Sequence, residues 1–356
     1  MKLTSAQRPF LPLLLLTAAA IAFLPFAALG QSAGAEGAQQ FAELGSCKLE
    51  SGQQITDCRI GYRTWGKLNA AGTNAVLAPT WFTGNSDGLS NALVQSKIVD
   101  PAKYFVIVVD ALGDGVSSSP SNSKSQPRMQ FPAFTTRDMV NTEYRLATEV
   151  LKLKHLHAVI GISMGGMQTF EWMVDYPDFM DLAVPVVGST RLTAYDLLLW
   201  HAEEDATKAD PAWKDGNYEK NPPLLQVAVL HDMNLSTPAH YAREVGREGF
   251  ATRYEMYRTA YGTDFDANDR LYQLEAMIRH DIAHGGSMEA AAKLVTAKVL
   301  VIPSEQDHMV NPGPAMEFAK LLGAKVLLLT SDCGHLAPGC EGAKVQPAVA
   351  AFLGGE

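Results

Sequence analysis

A serine flanked by glycines lies between an apolar run and a stretch that favours helix, and this junction constrains the fold more than any other feature. The run at residues 158–160 leads into Gly-Ile-Ser-Met-Gly-Gly at 161–166, and helix-forming residues continue from Gln168. Small residues two positions either side of a serine permit the sharp strand-to-helix turn that lifts its hydroxyl above a sheet. A serine in a glycine-rich turn is often only structural, but this context favours a nucleophile at Ser163.

Two later loops carry an acid and a histidine in the order that such a serine requires. Asp307 follows an apolar run at residues 298–303, and His335 follows another at 325–330. Both runs are predicted strands. Because parallel strands place reacting groups outside their carboxyl ends, the loops are expected to bring Asp307 and His335 to Ser163.

Each partner also has a simpler interpretation. Asp307 could cap the following helix, and Glu305 and Asp332 are rivals for the role of the acid. We favour Asp307 because its distance past the strand fits the usual loop. His335 is then expected to take the proton from Ser163 while Asp307 holds the imidazole in the correct tautomer.

A tetrahedral intermediate needs two backbone N–H donors. One is expected from Met164, at the amino terminus of the helix that follows the serine. The other normally comes from a loop after an earlier strand, and residues 75–84 supply such a strand and loop. Phe82 is our candidate for this second donor.

Five further segments of the chain carry a recognisable pattern: 136–140, 161–172, 210–213, 265–268 and 271–272. Together they resemble the homoserine O-acetyltransferase family of α/β-hydrolase proteins. The resemblance implies an α/β-hydrolase fold, with a mostly parallel, doubly wound sheet and an inserted helical lid, and an acyl-serine route that needs no cofactor. Related proteins often form dimers through the lid, which suggests a homodimer here.

Two departures from the family pattern bear on the substrate. Members that acetylate homoserine carry an Asp after the catalytic His, where this chain has Leu336, and an Arg in a lid helix, where residues 200–205 offer acids. A buried charge without its partner costs several kcal/mol. The loop at 112–122 also resembles the hydrolase-like branch. We therefore expect a small acyl ester or thioester as substrate and water or another alcohol as acceptor, with acetyl-CoA-dependent homoserine O-acetyltransferase as the alternative.

The amino terminus resembles a secretory signal. Lys2 and Arg8 accompany an apolar stretch at 10–29, and small residues that suit a cleavage site follow. A membrane anchor is the alternative, since a span needs roughly 20 apolar residues. Two prolines interrupt the stretch, so we expect residues 1–30 to be a signal peptide, with export and no stable membrane span after processing.

Four cysteines fit an oxidising compartment. Cys47 and Cys58 lie in a predicted hairpin, and Cys333 and Cys340 bracket the candidate base. Four cysteines allow three pairings, of which the two local ones are easiest to close, although free buried cysteines remain an alternative. We hypothesise that a Cys333–Cys340 bridge stiffens the loop that carries the histidine.

The remaining chain suits one α/β domain with an insertion. Apolar strands alternate with helical stretches over residues 41–190 and 287–356, which we predict to form the core. Between 191 and 286 the alternation stops, and helix formers, charges and aromatic residues predict a helical lid.

Other classes of function fit poorly. The formal net charge is −9, with no basic stripe, which argues against nucleic-acid binding. His280 and His284 have helical zinc-motif spacing but lack the Glu that such a site uses as base, so we predict no metal and interpret them as an exposed pair on a lid helix. A non-catalytic binding protein with the same fold is a further alternative, which the complete Ser, His and Asp set opposes.

Overall fold

The computed structural model describes residues 35–259 and 264–355, and a mixed sheet organises them. In spatial order the sheet runs β1-β2-β4-β3-β5-β6-β7-β8. The first two strands pair antiparallel with their neighbours, and all later pairs are parallel. The strands are β1 (Gln40–Lys48), β2 (Gln54–Trp65), β3 (Ala75–Pro79), β4 (Phe105–Val109), β5 (Leu156–Ile162), β6 (Met180–Val186), β7 (Lys298–Val301) and β8 (Lys325–Val326).

Helices cover both faces of this sheet. Every residue of β3 is buried, and its alternate side chains enter two different apolar clusters, as expected of a parallel strand with helices on both sides. The helices are α1 (Ser86–Ser90), α2 (Thr136–Arg145), α3 (Met164–Asp175), α4 (Ala194–Ala209), α5 (Leu225–Leu235), α6 (Pro238–Val245), α7 (Phe250–Thr259), α8 (Ala267–Ile278), α9 (Met288–Ala292), α10 (Gly313–Leu322), α11 (Ala337–Cys340) and α12 (Gly342–Leu353).

The two faces have different helices. Apolar residues of α2, α3 and α10 belong to one buried cluster, whereas those of α1 and α12 belong to the other. This arrangement is the doubly wound α/β architecture that the sequence predicts. It brings the carboxyl ends of β3, β5, β7 and β8 to one edge of the sheet.

A helical insertion separates β6 from β7. Within its described residues the chain forms α4 to α9, with no strand of the sheet among them. The first of these helices begins with a capping box, in which Thr193 and Asp196 each accept from the other's backbone N–H. The helical content agrees with the prediction for residues 191–286, whose bounds as a lid stay a prediction.

The last strand is shorter than expected. The run at 325–330 is predicted as one strand, but β8 ends at Val326, and Leu329 forms only an isolated bridge with Ser304. An edge strand has one neighbour to pair with, so fewer hydrogen bonds hold its backbone in the ladder.

The expected signal peptide at residues 1–30 lies outside the described residues. Among those that are described, no helix is both long and apolar enough to cross a membrane.

Candidate active site

Ser163 lies at the turn between β5 and α3, in a backbone conformation that side-chain-bearing residues rarely adopt. Its φ is 60° and its ψ is −121°. The turn is tight because Gly161 and Gly165 touch: a Cβ on Gly161 would lie 2.0 Å from the Gly165 carbonyl oxygen. A Cβ on Gly165 would lie 2.4 Å from the carbonyl oxygen of Pro79, at the end of β3. The glycines thus let the serine turn pack directly against the neighbouring strand.

The structure brings Ser163, His335 and Asp307 into one hydrogen-bonded chain. Ser163 Oγ lies 2.8 Å from His335 Nε2, and His335 Nδ1 lies 2.7 Å from Asp307 Oδ2. An ionised carboxylate can only accept, so Nδ1 carries the proton and Nε2 is free to accept from the serine hydroxyl. The three residues come from the turn after β5, the loop after β7 and the loop after β8.

The second oxygen of Asp307 fixes the carboxylate in place. Oδ1 accepts from the backbone N–H groups of Met309 and Val310, each at 2.9 Å. Of the two rival acids, Glu305 is exposed, and Asp332 pairs with Arg243 at 2.7 Å. Asp307 is therefore the acid in contact with the imidazole.

Three contacts hold the loop that carries His335. A disulfide joins Cys333 to Cys340, on either side of the histidine. The Gly334 carbonyl accepts from Ser304 Oγ at 2.7 Å, which ties the loop to the chain after β7. Glu341 accepts from two backbone N–H groups at 2.8 and 2.7 Å. The second disulfide, Cys47–Cys58, joins β1 to β2 as the predicted hairpin requires.

The backbone amides of Phe82 and Met164 lie in the loop after β3 and at the start of α3. Neither N–H donates to another group in the part of the chain that the structure describes. Both residues are buried. Buried backbone N–H groups without an acceptor are rare in folded proteins. Two of them beside a candidate nucleophile are therefore available to bind an oxygen atom of a ligand.

A cavity of about 370 Å³ opens over the serine. The four connections that follow β3, β5, β7 and β8 and two helices of the insertion contribute to its wall, which is mostly apolar. Leu336 occupies the position directly after the histidine, and its side chain is partly exposed at this cavity. The lining residues are Trp81, Phe82, Thr83, Ile162, Ser163, Trp200, His231, Leu235, Met309, His335, Leu336, Pro338 and Gly339.

A buried polar cluster stands behind one wall of the cavity. Arg270 Nη2 lies 2.7 Å from Glu203 Oε2, and His231 Nδ1 lies 3.2 Å from Glu203 Oε1. Burial lowers the pKa of His231, and the carboxylate of Glu203 opposes this only in part. Burial would raise the pKa of Glu203, but the neighbouring His231 and Arg270 side chains more than offset it and hold this pKa below its ordinary value. Arg270 also lies over the Phe82 ring, 4.6 Å from its centroid.

Sequence reasoning missed this cluster. Glu203 lies in the acidic stretch that we noted, but its partners come from α5 and α8. No motif or local spacing links an acid to an arginine 67 residues away. Only the folded insertion brings the three side chains together.

The interpretation of His280 and His284 as an exposed pair on a lid helix is wrong for His280 and for the helix, whereas His284 is exposed. Both residues follow the end of α8, and His280 is buried, with its ring bonded to Thr136 Oγ1 and to the Ser189 carbonyl at 2.8 and 2.9 Å. Burial lowers the pKa of His280 to about 4. His284 instead pairs with Glu171 at 2.8 Å. Both histidines also approach the same carboxylate, since His280 Nδ1 lies 3.8 Å from Glu171 Oε2.

Comparisons with known proteins agree with this geometry. Residues 81–338 match the model of the alpha/beta hydrolase fold family. A homoserine O-acetyltransferase of Trichormus variabilis is 32% identical over 292 residues, which cover 76% of this chain and 81% of that protein. An ethyl acetate hydrolase of Pseudomonas veronii is 30% identical over 278 residues, which cover 74% of this chain and 79% of that protein.

A solved structure extends the likeness to the whole described fold. An acetylester hydrolase from Corynebacterium glutamicum superposes with a TM-score of 0.81 at 26% identity, covering 89% of this chain and 95% of that one. The relatives thus include a named acyltransferase and named hydrolases. The chain belongs to the alpha/beta hydrolase fold family, as an enzyme of the group that contains esterases and homoserine O-acetyltransferases.

Proposed function

We propose that this protein is an exported, serine-dependent acyl enzyme of the hydrolase-like branch, with Ser163 as nucleophile, His335 as general base and Asp307 as the group that orients the base. The observation that carries the proposal is the continuous chain of two hydrogen bonds, 2.8 Å and 2.7 Å long, through these side chains. Both His335 and Asp307 are buried. Such a chain is the arrangement that activates a serine hydroxyl.

The steps follow from this geometry. His335 Nε2 takes the proton from Ser163 Oγ as the oxygen attacks the acyl carbonyl carbon. The carbonyl oxygen becomes an oxyanion, for which the free N–H groups of Phe82 and Met164 are the proposed donors. When the bond to the leaving group breaks, His335 returns the proton to the departing oxygen or sulfur. The acceptor, water or an alcohol, then attacks the acyl-serine, and His335 takes a proton from it as the general base.

The cavity favours a small acyl ester or thioester. Its volume of about 370 Å³ lies near the lower end of the range for small-molecule sites, and its wall is mostly apolar. The names of two similar proteins, an ethyl acetate hydrolase and an acetylester hydrolase, are consistent with this substrate class. No cofactor takes part in the proposed steps.

Water is the favoured acceptor over homoserine. Leu336 offers no carboxylate to an amino group at the cavity mouth. Arg270 does not line the cavity, and its Nη2 pairs with Glu203 at 2.7 Å, so we do not expect it to clamp a substrate carboxylate there. The second candidate is acetyl-CoA-dependent homoserine O-acetyltransferase, which the 32% identity to such an enzyme supports.

A fluorophosphonate probe tests the nucleophile. We expect labelling of the wild-type protein and no labelling of Ser163→Ala, while Ser96→Ala, which alters an exposed serine, labels normally. A well-folded wild-type protein that resists the probe would favour a non-catalytic binding protein with this fold.

Competing acceptors separate the two candidate reactions. With a short acyl ester as donor, we expect release of the free acid at the same rate with and without homoserine. A parallel assay with acetyl-CoA is expected to yield no O-acetylhomoserine. Efficient formation of that product would instead support the acyltransferase and overturn our interpretation of Leu336.

Export, the lid and self-association complete the proposal. We propose that residues 1–30 are removed, that 41–190 with 287–356 form the core, and that 191–286 form the lid. The two disulfides fit an oxidising compartment. Leu198 and Met233 expose 71% and 65% of their surface on insertion helices, which supports a homodimer through the lid. The intact mass of the exported protein tests the removal of residues 1–30. Sedimentation tests the dimer, which Leu198→Glu is expected to weaken.

A further inference from the structure

The turn that follows β3 contains a residue in an uncommon backbone conformation. Gly84 N–H donates to the Trp81 carbonyl at 3.0 Å, which closes a four-residue turn over residues 81–84. Of the two central residues only Thr83 has a positive φ, at 59°. That combination is a type II turn, whose third position favours Gly or Asn, and a β-branched residue is strained there. Such strain persists where the surrounding structure holds the residue in place.

A side chain of the insertion holds this residue. Gln273, on α8, is fully buried, and its Oε1 accepts from the Thr83 N–H at 3.0 Å. Its Nε2 donates to the Leu112 carbonyl at 3.2 Å. A backbone N–H can only donate and a carbonyl can only accept, so these two contacts fix which end of the amide faces the turn. They tie α8 to the two core loops that follow β3 and β4.

The same turn carries the proposed oxyanion donor. The Trp81 carbonyl and the Phe82 N–H belong to one peptide unit, which is planar and trans, so they point in opposite directions. Because the carbonyl accepts from Gly84 inside the turn, the Phe82 N–H is directed away from it. No described group accepts from this N–H. The direction of the donor thus depends on the turn, and the turn depends on the conformation of Thr83.

We propose that Gln273 is a positioning residue for the oxyanion hole, because it holds Thr83 in the conformation that aims the Phe82 N–H at the reacting carbonyl oxygen. The inference rests on the proposed function of Ser163 and adds a residue of the insertion to that same site. Gln273 does not line the cavity, so it acts through the turn and not by contact with the substrate. The insertion also holds the Phe82 ring, since Arg270 lies 4.6 Å from its centroid.

Removing the amide of Gln273 tests this role. Gln273→Leu keeps a similar volume but leaves the Thr83 N–H without its acceptor. Tyr272→Phe is the matched control, because it removes a buried hydrogen bond of the same helix, to the Phe131 carbonyl at 2.7 Å, away from the cavity. The readouts are the Tm, kcat and KM for 4-nitrophenyl acetate, and inhibition by 1,1,1-trifluoropropan-2-one, a ketone to which Ser163 Oγ adds to leave an oxyanion.

We expect Gln273→Leu to lower kcat by about 30-fold, since removing one oxyanion donor costs on the order of 100- to 1,000-fold and a misdirected donor loses part of that. KM should stay within about 2-fold of the wild type, because the lost contact belongs to the transition states of both acylation and deacylation. The ketone should bind about 30-fold more weakly for the same reason. Tyr272→Phe should lower the Tm but keep kcat within about 2-fold of the wild type.

Two results would overturn the inference: a kcat of Gln273→Leu within about 2-fold of the wild type, or equal losses of kcat in Gln273→Leu and Tyr272→Phe. Gln273→Met, which also lacks the amide, replaces the Leu variant if that variant does not fold. Either result leaves the proposed function standing if the fluorophosphonate probe labels the wild type and Ser163→Ala abolishes hydrolysis. A wild-type protein that resists the probe and hydrolyses no ester refutes the proposed function, and the role of Gln273 with it.

Discussion

The two disulfides are expected to stabilise the fold by similar amounts, but only Cys333–Cys340 lies next to the candidate active site. Cys47–Cys58 closes a sequence separation of 11 residues, and Cys333–Cys340 closes one of 7. The chain-entropy relation then assigns about 2.8 and about 2.4 kcal/mol to the two bonds. Replacing each pair by Ala in the mature protein should therefore lower the free energy of unfolding by similar amounts. Equilibrium unfolding in urea measures both values.

Catalysis should separate the two variants. The Cys333–Cys340 bond brackets His335, which accepts from Ser163 at 2.8 Å, whereas neither Cys47 nor Cys58 borders the cavity. A displacement of the base by about 1 Å can cost on the order of 100-fold in rate. We expect the Cys333→Ala/Cys340→Ala variant to lose about 10-fold in kcat, and the other variant to stay within about 2-fold of the wild type.

The comparison has a clear refuting result. Ester hydrolysis is measured without urea, at a temperature where circular dichroism shows both variants to be more than nine-tenths folded. A difference in the fraction of folded protein then does not contribute to the difference in rate. Equal kcat values for the two variants would show that the Ser304–Gly334 and Glu341 contacts hold the loop without the disulfide. The proposed stiffening role of the bond would then be abandoned.

Three further changes test the acid, the serine turn and a buried carboxyl. Asp307→Asn should lower kcat by about 10³-fold or more, because the imidazole loses its tautomer-fixing acceptor; an unchanged rate of ester hydrolysis would exclude the assigned role. Gly165→Ala should lower the free energy of unfolding by about 3 kcal/mol or more, since its Cβ would lie 2.4 Å from a backbone oxygen. Gly342→Ala is the matched control in urea unfolding, because a Cβ on Gly342 would have no other atom within 4 Å. Burial raises the pKa of Glu143 to about 8 from an ordinary value of 4.5, so its stabilising contribution is complete below pH 4.5 and is lost as the pH rises toward 8. Glu143→Gln should therefore be more stable than the wild type at pH 8, with an advantage that shrinks toward pH 5; a difference independent of pH would contradict the buried-acid assignment.

Sequence reasoning succeeded where a feature depends on neighbouring residues. The turn at Ser163 follows from the sizes of Gly161 and Gly165, which set how closely the chain can approach itself. The loops that carry Asp307 and His335 could be located from the sequence because each follows an apolar run that predicts a strand. The carboxyl ends of parallel strands lie at one edge of the sheet, where reacting groups are usually found. Their catalytic roles stay predictions, although the side chains lie within hydrogen-bond distance.

Features that depend on burial and distant partners were misjudged or missed. His280 appeared to belong to an exposed helical pair, but packing against Thr136 and Ser189 buries it. The last strand was predicted too long because the sequence does not show that its place is at the edge of the sheet. A pattern of residue types reports local preference, whereas burial is a property of the assembled fold.

The amino-acid sequence by itself determined the strand-to-helix turn of Ser163 and the placement of Asp307 and His335 in loops that follow later strands. These features rest on backbone sterics and strand periodicity, which act over a few residues. Only the tertiary structure decided that Glu203 binds both Arg270 and His231. Contacts between side chains 28 and 67 residues apart depend on how the insertion helices pack over the cavity, and no local rule encodes that packing.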